Sequence, residues 1–352
     1  MKAGRTLHEF AVELDRQAKV KRDFIVASGS MQMEVSAELF SLCKPLESGM
    51  REVTPFGMTD LFHRQLGASL GIPAKYYDKM RSDYPELLAS NVNGWFQHEP
   101  SRHTVRTLDA MARAFLSDRY RRIDNYAVAN AVLPVISEMP QAFVRSVEIT
   151  ENRLYIKVVN PRLQAEVTPG DVVQSGIVIQ NSEVGLGAVS VMPLIYRLVC
   201  SNGMIVQDHG QRKYHVGRRA DEESWELFSD ETLQADDHAF MLKLADVTRT
   251  AVDEARFAVV VDKLREAAGV RITGRVPDVV ELTAKRYGFS QEEEKGILQC
   301  LIEDGNLSLY GLSNAVTRTS QDAANYDRAT ELEAAGWNIA TMPHKDWWEI
   351  NG

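Results

Sequence analysis

The stretch Val144-Arg145-Ser146-Val147-Glu148-Ile149-Thr150-Glu151-Asn152-Arg153-Leu154-Tyr155-Ile156-Lys157-Val158-Val159 alternates on both sides of Asn152. Val147 and Ile149 are spaced by two before it, and Leu154, Ile156 and Val158 after it. A period of two marks a strand with a buried face, and the Glu151-Asn152 turn joins two such runs into an antiparallel hairpin. Further along, Val172 to Ile179 and Ala188 to Val199 form a second pair across the Gly185-Leu186-Gly187 loop. Asn202-Gly203 then supplies residues that tolerate positive φ in a tight turn before Met204-Ile205-Val206. One helix, Tyr126 to Glu138, interrupts these strands. Helices and strands do not alternate regularly, so a doubly wound sheet is excluded. The expectation is an α+β fold with a central, largely antiparallel sheet and helical N- and C-terminal regions.

The flanks set the expected regions at 1–100, 101–220 and 221–352. The first reads as mainly helical: Leu66 and Leu70 lie on a helix stopped at Gly71, and Ile72-Pro73 opens another that carries Tyr76, Tyr77 and Met80. In the last region, Phe240, Leu244, Val247, Ala251, Ala255, Ala258, Val261 and Leu264 recur at helical spacing, so one long helix is expected from Ser229 to Ala268. A helix opened by Pro277 and closed at Gly288 follows, then one with a Ser290 to Glu293 capping box, closed at Gly305. Leu307 to Trp337 continues as helix. No internal repeat or low-complexity tract is present.

A chain of 352 residues exceeds the roughly 250–300 residues at which single cores stop growing, so burying a core is not the difficulty. Hydrophobic residues at 44% and charged residues at 25% exclude wholesale disorder. No apolar run reaches the roughly 18 residues of a spanning helix, and the first residues lack a secretory core, so the expected setting is cytoplasmic with no membrane partner. Cys43, Cys200 and Cys300 are widely spaced and fit buried thiols better than a disulfide or zinc framework. The net charge of −9 argues against uniform affinity for a polyanion, though not against a local basic surface.

Charge is segregated. Arg102, Arg106, Arg113, Arg119, Arg121 and Arg122 share one segment with only Asp109 and Asp118; Arg212, Lys213, Arg218 and Arg219 share another with Tyr214 and His215 and no acid. The span from Asp221 to Asp237 is acidic. Phosphates attract guanidinium and ammonium groups and unstacked bases lie on aromatic rings, so basic residues interleaved with Tyr120, Tyr126, Tyr196 and Tyr214 fit a single-strand groove. The competing reading is that these arginines pair with the acidic run. Asp246 with Arg249 and Asp253 with Arg256 read as ordinary helix-surface pairs. Catalytic sets are weak. Gly185 and Gly187 do not sit between a strand and a phosphate-binding helix. Asp208, His209 and His215 lack a carboxylate cluster, and Cys200 reads as a small hydrophobe. No catalytic residue, cofactor or metal is expected.

Several segments together resemble the phage/plasmid-like protein family known as domain of unknown function 932. They are Gln65-Leu66 to Gly71-Ile72-Pro73 with Tyr76; Arg113 to Tyr120 with Asp124-Asn125; Gly176 to Asn181-Ser182; Arg197-Leu198-Val199-Cys200-Ser201-Asn202-Gly203-Met204; and Asn314-Ala315-Val316-Thr317. The family has no settled activity to carry over. Its resemblance in setting to recombination and replication genes of mobile elements implies a single-strand annealing or single-stranded DNA-binding role like that of Rad52-type phage proteins, an inference by fold-level analogy. The expected nucleic-acid-binding residues are Arg113, Arg119, Tyr120, Arg121, Arg122, Arg197, Arg212, Lys213, Tyr214, Arg218 and Arg219. Repetition of the subunit in a ring or filament would align such short strips, so a homo-oligomer is expected. The alternatives are an accessory protein that binds a host protein through its acidic surface, and a metal-dependent nucleic-acid enzyme.

Overall fold

The computed structural model describes residues 1–36, 38–45, 51–99, 101–207 and 230–352. The chain opens with α1 (Leu7–Val20), nucleated by a capping box in which Thr6 and Glu9 satisfy each other's backbone N–H groups. β1 (Arg22–Ala27), β2 (Met31–Met33), β3 (Leu39–Pro45), β4 (Arg51–Met58), α2 (Asp60–Ser69), α3 (Ala74–Asp83), α4 (Pro85–His98), β5 (Arg102–Leu108) and β6 (Met111–Ser117) follow. The six strands form a sheet in the order β1-β5-β6-β4-β3-β2, antiparallel except where β4 meets β6. Helices therefore stand at both ends of the chain, but the mainly helical reading of the first hundred residues missed the strands between Arg22 and Met58. Pro55 and Gly57 inside β4 disguised it, because both residues weaken a strand pattern. Gly71 does end the α2 segment, at φ +67°, and Pro73 caps α3. Phe40, Phe62, Phe96 and Phe115 form the aromatic centre under the sheet, with Phe40 and Phe62 edge to face at 4.9 Å.

The central region holds α5 (Asn125–Glu138), β7 (Phe143–Ile149), β8 (Leu154–Thr168), β9 (Asp171–Asn181), β10 (Ser190–Arg197) and β11 (Asn202–Ile205). The strands make one antiparallel sheet in the order β11-β10-β9-β8-β7, with Ile156 opposite both Val147 and Ile179. The turn before β11 differs from expectation. Positive φ falls on Ser201, whereas Asn202 and Gly203 are already paired with Arg197 and Tyr196. Gly203 is needed for space: a Cβ there would stand 2.6 Å from Met1 Cγ.

The expected long helix is two, α6 (Asp230–Thr250) and α7 (Glu254–Gly269). Asp253 stops the run by capping α7, its carboxylate accepting from the Arg256 N–H at 2.8 Å, so it is a cap and not the partner of the Arg256 side chain. Asp246 and Arg249 form the expected exposed pair. Val128, Val132 and Ile136 of α5 and Phe240 and Leu244 of α6 cover Ile156, Val158, Ile177 and Ile179, each buried aliphatic chain contributing about 1.5–3 kcal/mol.

The C-terminal region comprises α8 (Val276–Tyr287), α9 (Gln291–Asp304), α10 (Leu309–Thr319), α11 (Tyr326–Ala340) and α12 (His344–Asn351). Gly288 and Gly305 take the left-handed caps expected of them, and Ser290 and Glu293 close the capping box. α11 lies against the other face of the central sheet, where Lys157 Nζ meets Glu333 Oε2 at 2.6 Å with both side chains fully buried. Both faces being covered, β8 is buried from Leu154 to Asn160 and does not alternate in and out as the opening hairpin implied.

Candidate nucleic-acid interface

Two buried polar clusters gather the segments that carry the family resemblance. The first lies where the two sheets meet. Arg106 of β5 is fully buried; its Nε and Nη2 donate to the Asp23 carboxylate at 2.8 and 3.0 Å, Nη2 donates to Asp124 at 2.6 Å and Nη1 to the Glu183 carbonyl at 2.9 Å. Arg113 Nη2 donates to the Glu183 carboxylate at 2.5 Å, and Lys21 Nζ stands 2.7 Å from Asp124 and 3.3 Å from Glu183. Glu183 also accepts the Asn125 backbone N–H at 2.7 Å, at the N-terminus of α5, where the helix dipole favours an anion. Burial pushes the Glu183 carboxyl up, but Arg113, Lys21 and Arg106 more than offset it, so it titrates below its ordinary value. Gln65 joins this junction, accepting from the Phe115 N–H and donating to the Val184 carbonyl.

The second cluster ties β10 to the C-terminal helices. Arg197 Nε donates to Asp171 at 2.8 Å, Nη2 lies 3.2 Å from Asp304, and the guanidinium sits over the Tyr310 ring at 6.0 Å. Arg113 and Arg197, expected to contact nucleic acid, are instead nearly all buried and neutralise carboxylates inside the protein.

What stands at the surface is the loop after β6. Arg119 is exposed; Tyr120 is half-buried, its hydroxyl donating to the Ser182 carbonyl at 3.2 Å. Arg121 pairs with Asp236 at 2.9 Å and Asp237 at 2.6 Å on α6, its guanidinium over Phe240 at 5.6 Å. Arg122 keeps 48% of its side-chain surface exposed, and the Asp23 oxygen 3.9 Å away is already held by Arg106. The register sets His103 opposite Ser117, which puts exposed Arg102 beside the start of this loop. Arg212, Lys213, Tyr214, Arg218 and Arg219, with Asp208, His209 and His215, lie outside the described residues.

Sequence reasoning missed Asp23 and Glu183 as partners of Arg106 and Arg113, and Lys21 as a partner of Asp124 and Glu183, because each is distant in sequence from the charge it neutralises. One signal was present: a lone cation inside an otherwise apolar strand, such as Lys157 in Tyr-Ile-Lys-Val-Val, has to find a buried partner. Among the described residues no group of His, Cys, Asp and Glu side chains is placed to hold a metal ion, and no helix is long and apolar enough to cross a membrane.

No curated protein and no solved structure matches the chain. The family model described as Domain of unknown function (DUF932) matches residues 113–317, which include Arg113 and Glu183 of the first buried cluster and Asp171, Arg197 and Tyr310 of the second. That span is more than half of the chain, and the protein belongs to this family.

Proposed function

We propose that the protein binds single-stranded DNA through the loop that carries Arg119 and Arg122, and acts as a single-strand annealing or binding protein of a phage or other mobile element. The observation that carries the reading is the state of Arg122, half exposed beside a carboxylate already engaged by buried Arg106. Arg106, Arg113 and Lys21 hold the neighbouring acids, so the surface guanidinium keeps most of its charge for an outside anion. Arg102 and Arg119 extend the same positive surface. The basic run from Arg212 to Arg219 supplies further contacts in this reading, with Tyr214 and Tyr120 as stacking faces. Assembly of copies into a ring or filament would join such short strips into a track.

Arg121 favours a second, purely structural reading for itself, since Asp236 and Asp237 already pair with it. Fluorescence anisotropy with labelled single-stranded DNA, with and without a metal chelator, tests the proposal. Salt-sensitive binding that survives the chelator supports it. No binding at low salt sinks it, and binding restored only by magnesium or manganese favours an enzyme.

A further inference from the structure

A small cavity sits between the central sheet and α10, lined by Val173, Ile195, Met204 and Leu264 and by the polar Arg197, Asn202, Tyr310 and Asn314. Asn202, Tyr310 and Asn314 are 1%, 1% and 3% exposed. Asn202 Oδ1, Tyr310 Oη and Asn314 Nδ2 each lack a well-formed hydrogen bond to any described residue, although the Tyr310 hydroxyl stands near enough to Asn314 and Asp171 to interact with both. Three such orphans in one place, each costing about 1–3 kcal/mol, would be a heavy penalty for a native fold.

The orientation of Asn202 is fixed from behind. Thr317 Oγ1 donates to the Asn314 carbonyl at 3.1 Å and accepts from Asn202 Nδ2 at 2.5 Å, which leaves Asn202 Oδ1 facing the cavity. The cavity leaves about 10 Å³ for the centre of a water-sized sphere, close to the roughly 10–15 Å³ that one buried water requires.

We propose that this cavity is a binding site for a single ordered water molecule that joins the β10–β11 hairpin to α10. The water donates to Asn202 Oδ1 and accepts from Asn314 Nδ2 and the Tyr310 hydroxyl, which matches the three orphans in sign as well as number. A larger polar ligand does not fit, and a cation is disfavoured by the Arg197 guanidinium in the wall.

A crystal structure of the whole protein at a resolution that shows ordered water is the first test. One density peak within hydrogen-bond distance of all three atoms is expected. An empty cavity, or Tyr310 Oη bonded directly to Asn314, overturns the proposal. In solution, magnetic relaxation dispersion counts long-lived internal waters, and Asn314→Leu is expected to remove one relative to the native protein. An unchanged count in the folded variant overturns it. Should Asn314→Leu not fold, Tyr310→Phe removes a single partner and keeps the ring. It is expected to shorten the residence time of that water at least several-fold, and an unchanged residence time counts against the site.

Discussion

Glu183→Gln is the most informative perturbation of the junction between the two sheets. The carboxylate is 3% exposed and serves Arg113 at 2.5 Å, the Asn125 N–H at 2.7 Å and Lys21 at 3.3 Å. A glutamine of the same shape keeps one acceptor but removes the charge, leaving the Arg113 guanidinium buried without a counter-charge. Breaking one side of a buried pair costs about 3–5 kcal/mol, against about 0–1 for a surface pair. The pH dependence carries the same signature. Because Glu183 titrates below its ordinary value of 4.5, its contribution is fully present above that pH and is lost as pH falls below it. Urea unfolding followed by tryptophan fluorescence and far-ultraviolet circular dichroism measures both, with coincident transitions as the check on two-state behaviour. A loss under about 1 kcal/mol at neutral pH, with an unaltered acid slope, refutes the reasoning. Replacing the pair together, as Arg113→Met with Glu183→Leu, is expected to recover much of the loss.

Other outcomes follow from burial alone. Ile156→Ala or Ile179→Ala, each at a position with no exposed surface, is expected to cost about 2–5 kcal/mol by denaturant unfolding. His63 is buried against Tyr77, its Nδ1 2.9 Å from the hydroxyl, and burial and then Arg81 lower it from 6.5 to about 4. The unfolded chain therefore takes up a proton that the native protein refuses, and stability falls as pH drops from 6.5 towards 4. His63→Gln is expected to flatten thermal stability over that window, and an unchanged slope contradicts the assignment.

The central sheet was legible because its strands announce themselves by period two and by turn residues at Asn152 and Gly185. The caps at Gly71, Gly288, Ser290 and Gly305 were legible because each carries a side-chain or φ requirement that few residues meet. Illegible were the features decided across distance. The N-terminal strands hide behind Pro55 and Gly57, and the break between α6 and α7 rests on one capping aspartate. At the candidate site, the arginine-rich segment was visible as a charge pattern. The pattern cannot separate Arg106 and Arg113, which face inward onto acids from other segments, from Arg119 and Arg122, which face solvent.

The most direct measurement of the proposed function is the salt dependence of single-stranded DNA binding by Arg119→Ala/Arg122→Ala beside the native protein, both shown folded by circular dichroism. Each lost phosphate contact removes about 0.7 from the slope of log K against log salt, so the double variant is expected to bind more weakly on every sequence with a slope shallower by about 1.4. A folded double variant with native affinity and native slope contradicts the proposal and leaves the loop an ordinary solvated surface.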